Sequence, residues 1–236
     1  MADMRDRPAL LMIAGFGDDA GMFERLSAER VARGVDLRPF DLPGFGAPAL
    51  DTPASLAALA DQVHAEACAS GAQIILAHSV ASIIASLAAQ RRDSPLRKIL
   101  SPEGNLTAED AYFSGTAADY PDAASFRDTF LVRLEEMESD DPVIARYRQA
   151  VLRADPESLW RLGCDARRFS DSHVPGQVLS SAAETTYLYN AENCPPSSMQ
   201  WLEANEMKRI ALPGASHWAR VDRPDLLSEA ILAALD

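Results

Sequence analysis

Residues 74–90 read IILAHSVASIIASLAAQ. An apolar run passes through one serine, Ser79, flanked by small residues, and continues as an alanine-rich helical pattern. A hydroxyl at such a strand-to-helix junction has two uses. It can cap the helix by accepting from a first-turn N–H. On a tight turn it can instead stand out at the edge of a sheet as a nucleophile, with the amides of the helix start facing an oxyanion formed beside it. That turn needs very small residues two before and two after the serine. The pentad Ala77-His78-Ser79-Val80-Ala81 supplies alanines there, which fit but crowd the turn. On these residues alone both uses stay open.

The elements around Ser79 read as alternating strands and helices. ALLMIA (9–14) is a buried strand ended by GFG, and AGMFERLSAERVARG a helix with Phe23, Leu26 and Val31 near one face and Gly34 as its stop. VDLRPFD is a second strand, closed by the turn-rich LPGFGAP. Thr52 caps the next expected helix, with Pro53 at its first position and Gly71 at its end. QIILAH, a helix VASIIASLAAQRR, and RKILS follow. Such alternation predicts an α/β fold with a mainly parallel sheet covered on both faces, whose ligands sit at the carboxyl ends of the strands. The loops GFG, HSV and SPEGN therefore open onto one edge. Residues 105–178 break the pattern with helices only, and TTYLYN, MKRIALPG and a last helix, RPDLLSEAILAALD, restore it. The expected organisation is a core of 1–104 and 179–236 interrupted by a helical cap of 105–178. The acidic run EEMESDD is read as a solvated turn.

Composition narrows the partners. Of 236 residues 47% are hydrophobic, enough for a sizeable core, and 22 Lys and Arg against 35 Asp and Glu leave a net charge of −13. That sign argues against nucleic acid and anionic membranes, both of which need a basic footprint. No apolar run reaches the length of a membrane span, and MADMRDRPALLMIAG lacks the long apolar region of a signal peptide. Cys68, Cys164 and Cys194 are scattered and read as reduced thiols, so the expected location is the cytoplasm. No histidine or cysteine pair has ligand spacing, so no metal and no cofactor is expected. The partner is a small-molecule substrate, with oligomeric state left open.

The order of motifs resembles the α/β-hydrolase family over nearly the whole length. AGFGDDAGMF is similar to its His-Gly oxyanion loop, with Ala14 in place of His. DLPGFGAP is similar to its Asp-x-Pro-Gly-x-Gly turn, AHSVA stands at the nucleophile elbow, and PGASHWARVDRPDLL matches the segment carrying the catalytic His. The resemblance implies Ser79 as nucleophile and His217 as general base, with backbone N–H groups of Phe16 and Val80 as oxyanion donors. Of the four histidines, His64 lies mid-helix, His78 flanks the elbow, His173 lies in the insertion, and only His217 follows a terminal strand.

The base also needs a carboxylate. Most family members place it after the strand read here as TTYLYN, where this chain has Asn193, with Glu192 beside it. Some members, lactone-cleaving ones among them, place it after the strand following the nucleophile helix, where this chain has Glu103, 24 residues after Ser79 (103 − 79). Glu103 is the favoured acid and Glu192 the alternative. The helical insertion resembles the family's lid, and Tyr112, Phe113, Phe126, Phe130, Tyr147 and Trp160 either line a pocket or pack lid on core. Phe16, His78, Trp218, Tyr112 and Phe113 are the expected substrate contacts. The expected activity is hydrolysis of an ester, lactone or related acyl bond by a Ser-His-Glu triad. Carbon–carbon bond hydrolysis and ligand binding with little turnover are the alternatives.

Overall fold

The computed structural model describes residues 7–138 and 141–235. Ser139 and Asp140, the centre of the acidic run expected to be a solvated turn, lie outside the described residues, as does most of the charged N-terminal segment.

All six expected strands form. In chain order the first elements are β1 (Ala9–Ile13), α1 (Val31–Gly34), β2 (Asp36–Phe40), a two-stranded ribbon of β3 (Leu42–Pro43) and β4 (Gly46–Ala47), α2 (Leu56–Ser70), β5 (Ile74–Ala77), α3 (Ala81–Ala89) and β6 (Lys98–Pro102). Then come α4 (Ala123–Met137), α5 (Pro142–Arg153), α6 (Pro156–Ser172), α7 (Pro175–Ala182), β7 (Glu184–Tyr189), α8 (Pro196–Ala204), β8 (Lys208–Ala211), α9 (Ala219–Asp222) and α10 (Pro224–Leu235). The main sheet has the order β2-β1-β5-β6-β7-β8, and every neighbouring pair is parallel. Helices α2, α3 and α7 pack together, as do α1, α9, α10 and a 3-10 helix at Ala20–Ala28. This double cover explains why Leu10–Ile13, Ile75–Ala77 and Ile99–Ser101 are buried without alternation. Among the described residues no helix is long and apolar enough to cross a membrane.

Two expected helices differ in the structure. The stretch after β1 is not one helix but the 3-10 helix followed by α1, broken at an extended Glu29. Phe23 and Leu26 keep a helical spacing, but Val31 is five residues beyond Leu26, and the break resets the phase so that it too is buried. Helix α2 starts after Ser55, not at Thr52 and Pro53. The Ser55 hydroxyl accepts from Ala58 N at 3.1 Å, and Leu56 N donates to Asp165 on α6 at 2.8 Å.

Between β6 and β7 the chain is helical, with 3-10 turns at Ala108–Ala111 and Ser114–Asp119 ahead of α4. The sequence marks the starts of α4, α5 and α6. Asp122, Asp141 and Asp155 each accept an N–H of the first turn at 2.8 Å, and a proline follows the last two. Helix α4 packs on both α5 and α6. Helix α7 packs on α3 and β7, so position 178 falls inside a helix that lies against the sheet.

Candidate active site

The carboxyl ends of five strands are laced together beyond the regular ladder. His78 N donates to Ile13 O at 3.3 Å, Ser79 N to Pro102 O at 3.0 Å, Glu103 N to Leu188 O at 2.9 Å, and Leu212 N to Tyr189 O at 2.6 Å. The three loops expected to share an edge therefore do so, joined by the segment after β8.

Ser79 is not a helix cap. Its side chain makes no capping bond, and its backbone sits at φ +54°, left-handed and unfavourable for a residue with a Cβ. The space that permits the turn comes partly from Gly15. A Cβ there would lie 2.7 Å from His78 Nδ1 and 3.0 Å from Ser79 Cβ. Neither Phe16 nor Val80 donates its backbone N–H to an intrachain partner among the described residues, leaving both amides free beside Ser79. Tyr147, from α5, fixes the first of these peptides by donating to Phe16 O at 2.7 Å.

His217 follows β8 and lines one small cavity with Ser79. No hydrogen bond joins the two side chains among the described residues. The His217 carbonyl accepts from His78 Nε2 at 2.9 Å and from Arg220 Nη1 at 3.4 Å, and Ser216 N donates to Asp222 at 2.7 Å. Behind the ring, His217 Nδ1 is 3.7 Å from Glu103 Oε2. Glu103 is buried, at 6% exposure, and it too has a left-handed backbone, φ +49°. The following Gly104 has no room for a side chain, since a Cβ would fall 2.0 Å from Ser101 Oγ. Two N–H groups, Asn190 N at 2.8 Å and Asn193 Nδ2 at 3.2 Å, donate to Glu103 Oε1. Glu192 is exposed, and no contact with His217 is formed by its side chain among the described residues.

The expected substrate contacts Phe16, His78, Tyr112, Phe113 and Trp218 all line this cavity, together with Tyr147. Its volume is about 20 Å³, room for roughly one water. A larger cleft of about 890 Å³, between the end of α6 and α8, shares no residue with it. The insertion's other aromatics serve packing. Phe126 and Phe130 lie 6.1 and 5.9 Å from the Phe16 ring, and Trp160 donates its N–H to Ala117 O at 3.1 Å.

A buried charge cluster that no sequence motif marks lies beside the cavity. Asp18, which lines the cavity, pairs with Arg146 of α5 and lies 3.7 Å from Arg220, whose side chain is wholly buried. Burial pulls the Arg220 guanidinium down to about 9, against the opposing pull of Asp18. Burial likewise holds His78 well below the usual imidazole range, with Arg220 and His217 adding to it. A neutral His78 donating through Nε2 leaves Nδ1 as an acceptor, and that atom has no hydrogen-bond partner among the described residues. The repeated aspartates of GFGDD were the only available signal, and no pattern in the chain links them to Arg220.

Known proteins show the same architecture. The sequence profile of the alpha/beta hydrolase family matches residues 10–230. No curated protein matches. Among solved structures, a thermophilic esterase from Thermogutta terrifontis aligns with TM-score 0.73 at 19% identity, covering 97% of this chain and 89% of its own. The enol-lactonase from Burkholderia xenovorans LB400 gives 0.73 at 16%, over 99% and 93%. A 1H-3-hydroxy-4-oxoquinoline 2,4-dioxygenase gives 0.73 at 18%, over 98% and 93%. Identities this low carry the fold alone, whereas the profile match spans most of the sequence. The chain belongs to the alpha/beta hydrolase family and is an enzyme of the hydrolase class.

Proposed function

We propose that this protein is a cofactor-free serine hydrolase that opens an ester, lactone or related acyl bond of a small hydrophobic or aromatic substrate. The observation that carries this reading is Ser79, held at φ +54° in the wall of the cavity that His217 also lines, with Glu103 behind the imidazole. Strain kept at one serine calls for a use of its side chain.

His217 takes the Ser79 proton as the hydroxyl oxygen attacks the acyl carbon. The Phe16 and Val80 amides receive the resulting oxyanion, each donor contributing about 3–4 kcal/mol in comparable sites. The leaving alkoxide collects the proton from His217, and an acyl-Ser79 ester remains. Water, deprotonated by His217, cleaves that ester and restores the hydroxyl. Glu103 fixes the imidazole tautomer and offsets the imidazolium charge. Residues 105–178, with α4–α6 as their body, act as the cap, and Tyr112, Phe113 and Trp218 present the apolar surface that meets the substrate. A fluorophosphonate probe tests the reading, since it should label the wild type and not Ser79→Ala. Tight small-molecule binding without labelling would replace it with a binding role.

A further inference from the structure

Asn193 stands between the acid and the loop of the base. Its Nδ2 atom donates to Glu103 Oε1 at 3.2 Å and to Ala215 O, two residues before His217, at 3.1 Å. Both partners can only accept, so the nitrogen and not the oxygen of the amide must face them. One NH₂ group carries two hydrogens, and both are used. Asn190 repeats the span with different atoms, its backbone N–H reaching Glu103 Oε1 at 2.8 Å and its side chain reaching Ala215 O at 2.9 Å. Glu103 Oε1 is thereby engaged twice, and Oε2, which Cys194 Sγ approaches at 4.0 Å, is the oxygen towards His217 Nδ1.

We propose that Asn193 is a positioning residue for the reaction, acting through Glu103: its amide ties Oε1 to the loop carrying the base, and so sets Oε2 as the carboxylate oxygen that meets His217. Alanine at 193 loses both donors. Aspartate has nearly the same shape but can donate to neither partner, and it sets a second negative charge beside Glu103. The inference rests on the serine-hydrolase reading above, and its test separates the two.

The test is a double-mutant cycle on the rate of fluorophosphonate labelling, with melting temperature followed in parallel. Asn193→Ala should slow labelling about tenfold, the effect of losing a hydrogen bond to a charged group. In a Glu103→Gln background the same change should cost less than about twofold, because a residue that acts through Glu103 has nothing left to act on. A merely structural role would multiply the two losses instead. Asn193→Asp gives a second reading. Its added charge should raise the midpoint of the acidic limb of the labelling-rate profile by about one pH unit. Around Glu103 the other ionisable groups are His217, Cys194, Tyr112 and Tyr187, and around His217 they are His78, Tyr112 and Arg220; none is altered. Multiplying losses, wild-type labelling of Asn193→Ala, or an unmoved Asn193→Asp midpoint would each overturn the positioning role alone. Failure of the wild type to label, or labelling of Ser79→Ala, would overturn the hydrolase reading and this inference with it.

Discussion

Replacing Glu103 with glutamine changes one charge and almost no volume, so its effect isolates electrostatics. In the proposed reaction His217 becomes cationic 3.7 Å from Glu103 Oε2, and both side chains are largely shielded from water. At an effective dielectric constant of about 20, Coulomb's law gives about 4.5 kcal/mol for that separation. Losing it corresponds to a fall in kcat on the order of 10³-fold. Glutamine adds a second problem. Its single oxygen must choose between the Asn190 and Asn193 donors and the His217 Nδ1–H, and its NH₂ group is then misplaced against whichever it leaves. The assay is hydrolysis of a short-chain p-nitrophenyl ester at neutral pH, with the fold checked by thermal melting. Glu103→Gln should lose about three orders of magnitude while Glu192→Gln stays within twofold. A folded Glu103→Gln enzyme within tenfold of the wild type would refute the assignment, and a large loss in Glu192→Gln would transfer the role.

Other outcomes follow from the same geometry. Ser79→Gly should be more stable to denaturant than Ser79→Ala by about 1 kcal/mol, since only glycine accepts the left-handed backbone without cost; equal stabilities would remove the strain argument. Gly15→Ala should lower stability by about 1–3 kcal/mol, read from denaturant midpoints, because the new methyl meets His78 Nδ1 at 2.7 Å. His78 binds its proton less readily when folded than when unfolded, where 6.5 is the ordinary value. The stability that comes from keeping it neutral is therefore complete above about pH 6.5 and declines as pH falls towards the lower folded value. Melting temperature should drop across that acid window, and His78→Gln should flatten the drop.

Much of this arrangement was legible in the sequence because local chemistry and position agreed. The strands around Ser79 were plain, being short apolar runs ended by loops. Glu103 is favoured in the sequence through the family resemblance, 24 residues after Ser79, and in the structure His217 Nδ1 lies 3.7 Å from its Oε2. What stayed hidden depended on contacts between distant segments. The start of α2 was misread because Ser55 and the α6 carboxylate of Asp165 together cap it, whereas Thr52 offers an equally plausible hydroxyl. The pairing of Asp18 with Arg146 and Arg220 joins three separate elements, and charge counting cannot choose among so many arginines. Asn193 was recognised as an amide where a carboxylate was expected, but its bond to Glu103 appears only once β6 and β7 lie side by side.

A chamber that holds a single water has a kinetic meaning. At about 20 Å³ the cavity is smaller than an acyl ester, so on the proposed reading a wall has to give way, and the walls are unequally anchored. Helix α5 is riveted to the loop after β1 through Arg146, Arg153 and the Tyr147 hydroxyl. Tyr112, by contrast, is partly open to solvent on the short turn ahead of α4. On the proposed reading that turn is the wall that opens for substrate and product, and turnover should then track solvent viscosity more closely than bond strength in the ester.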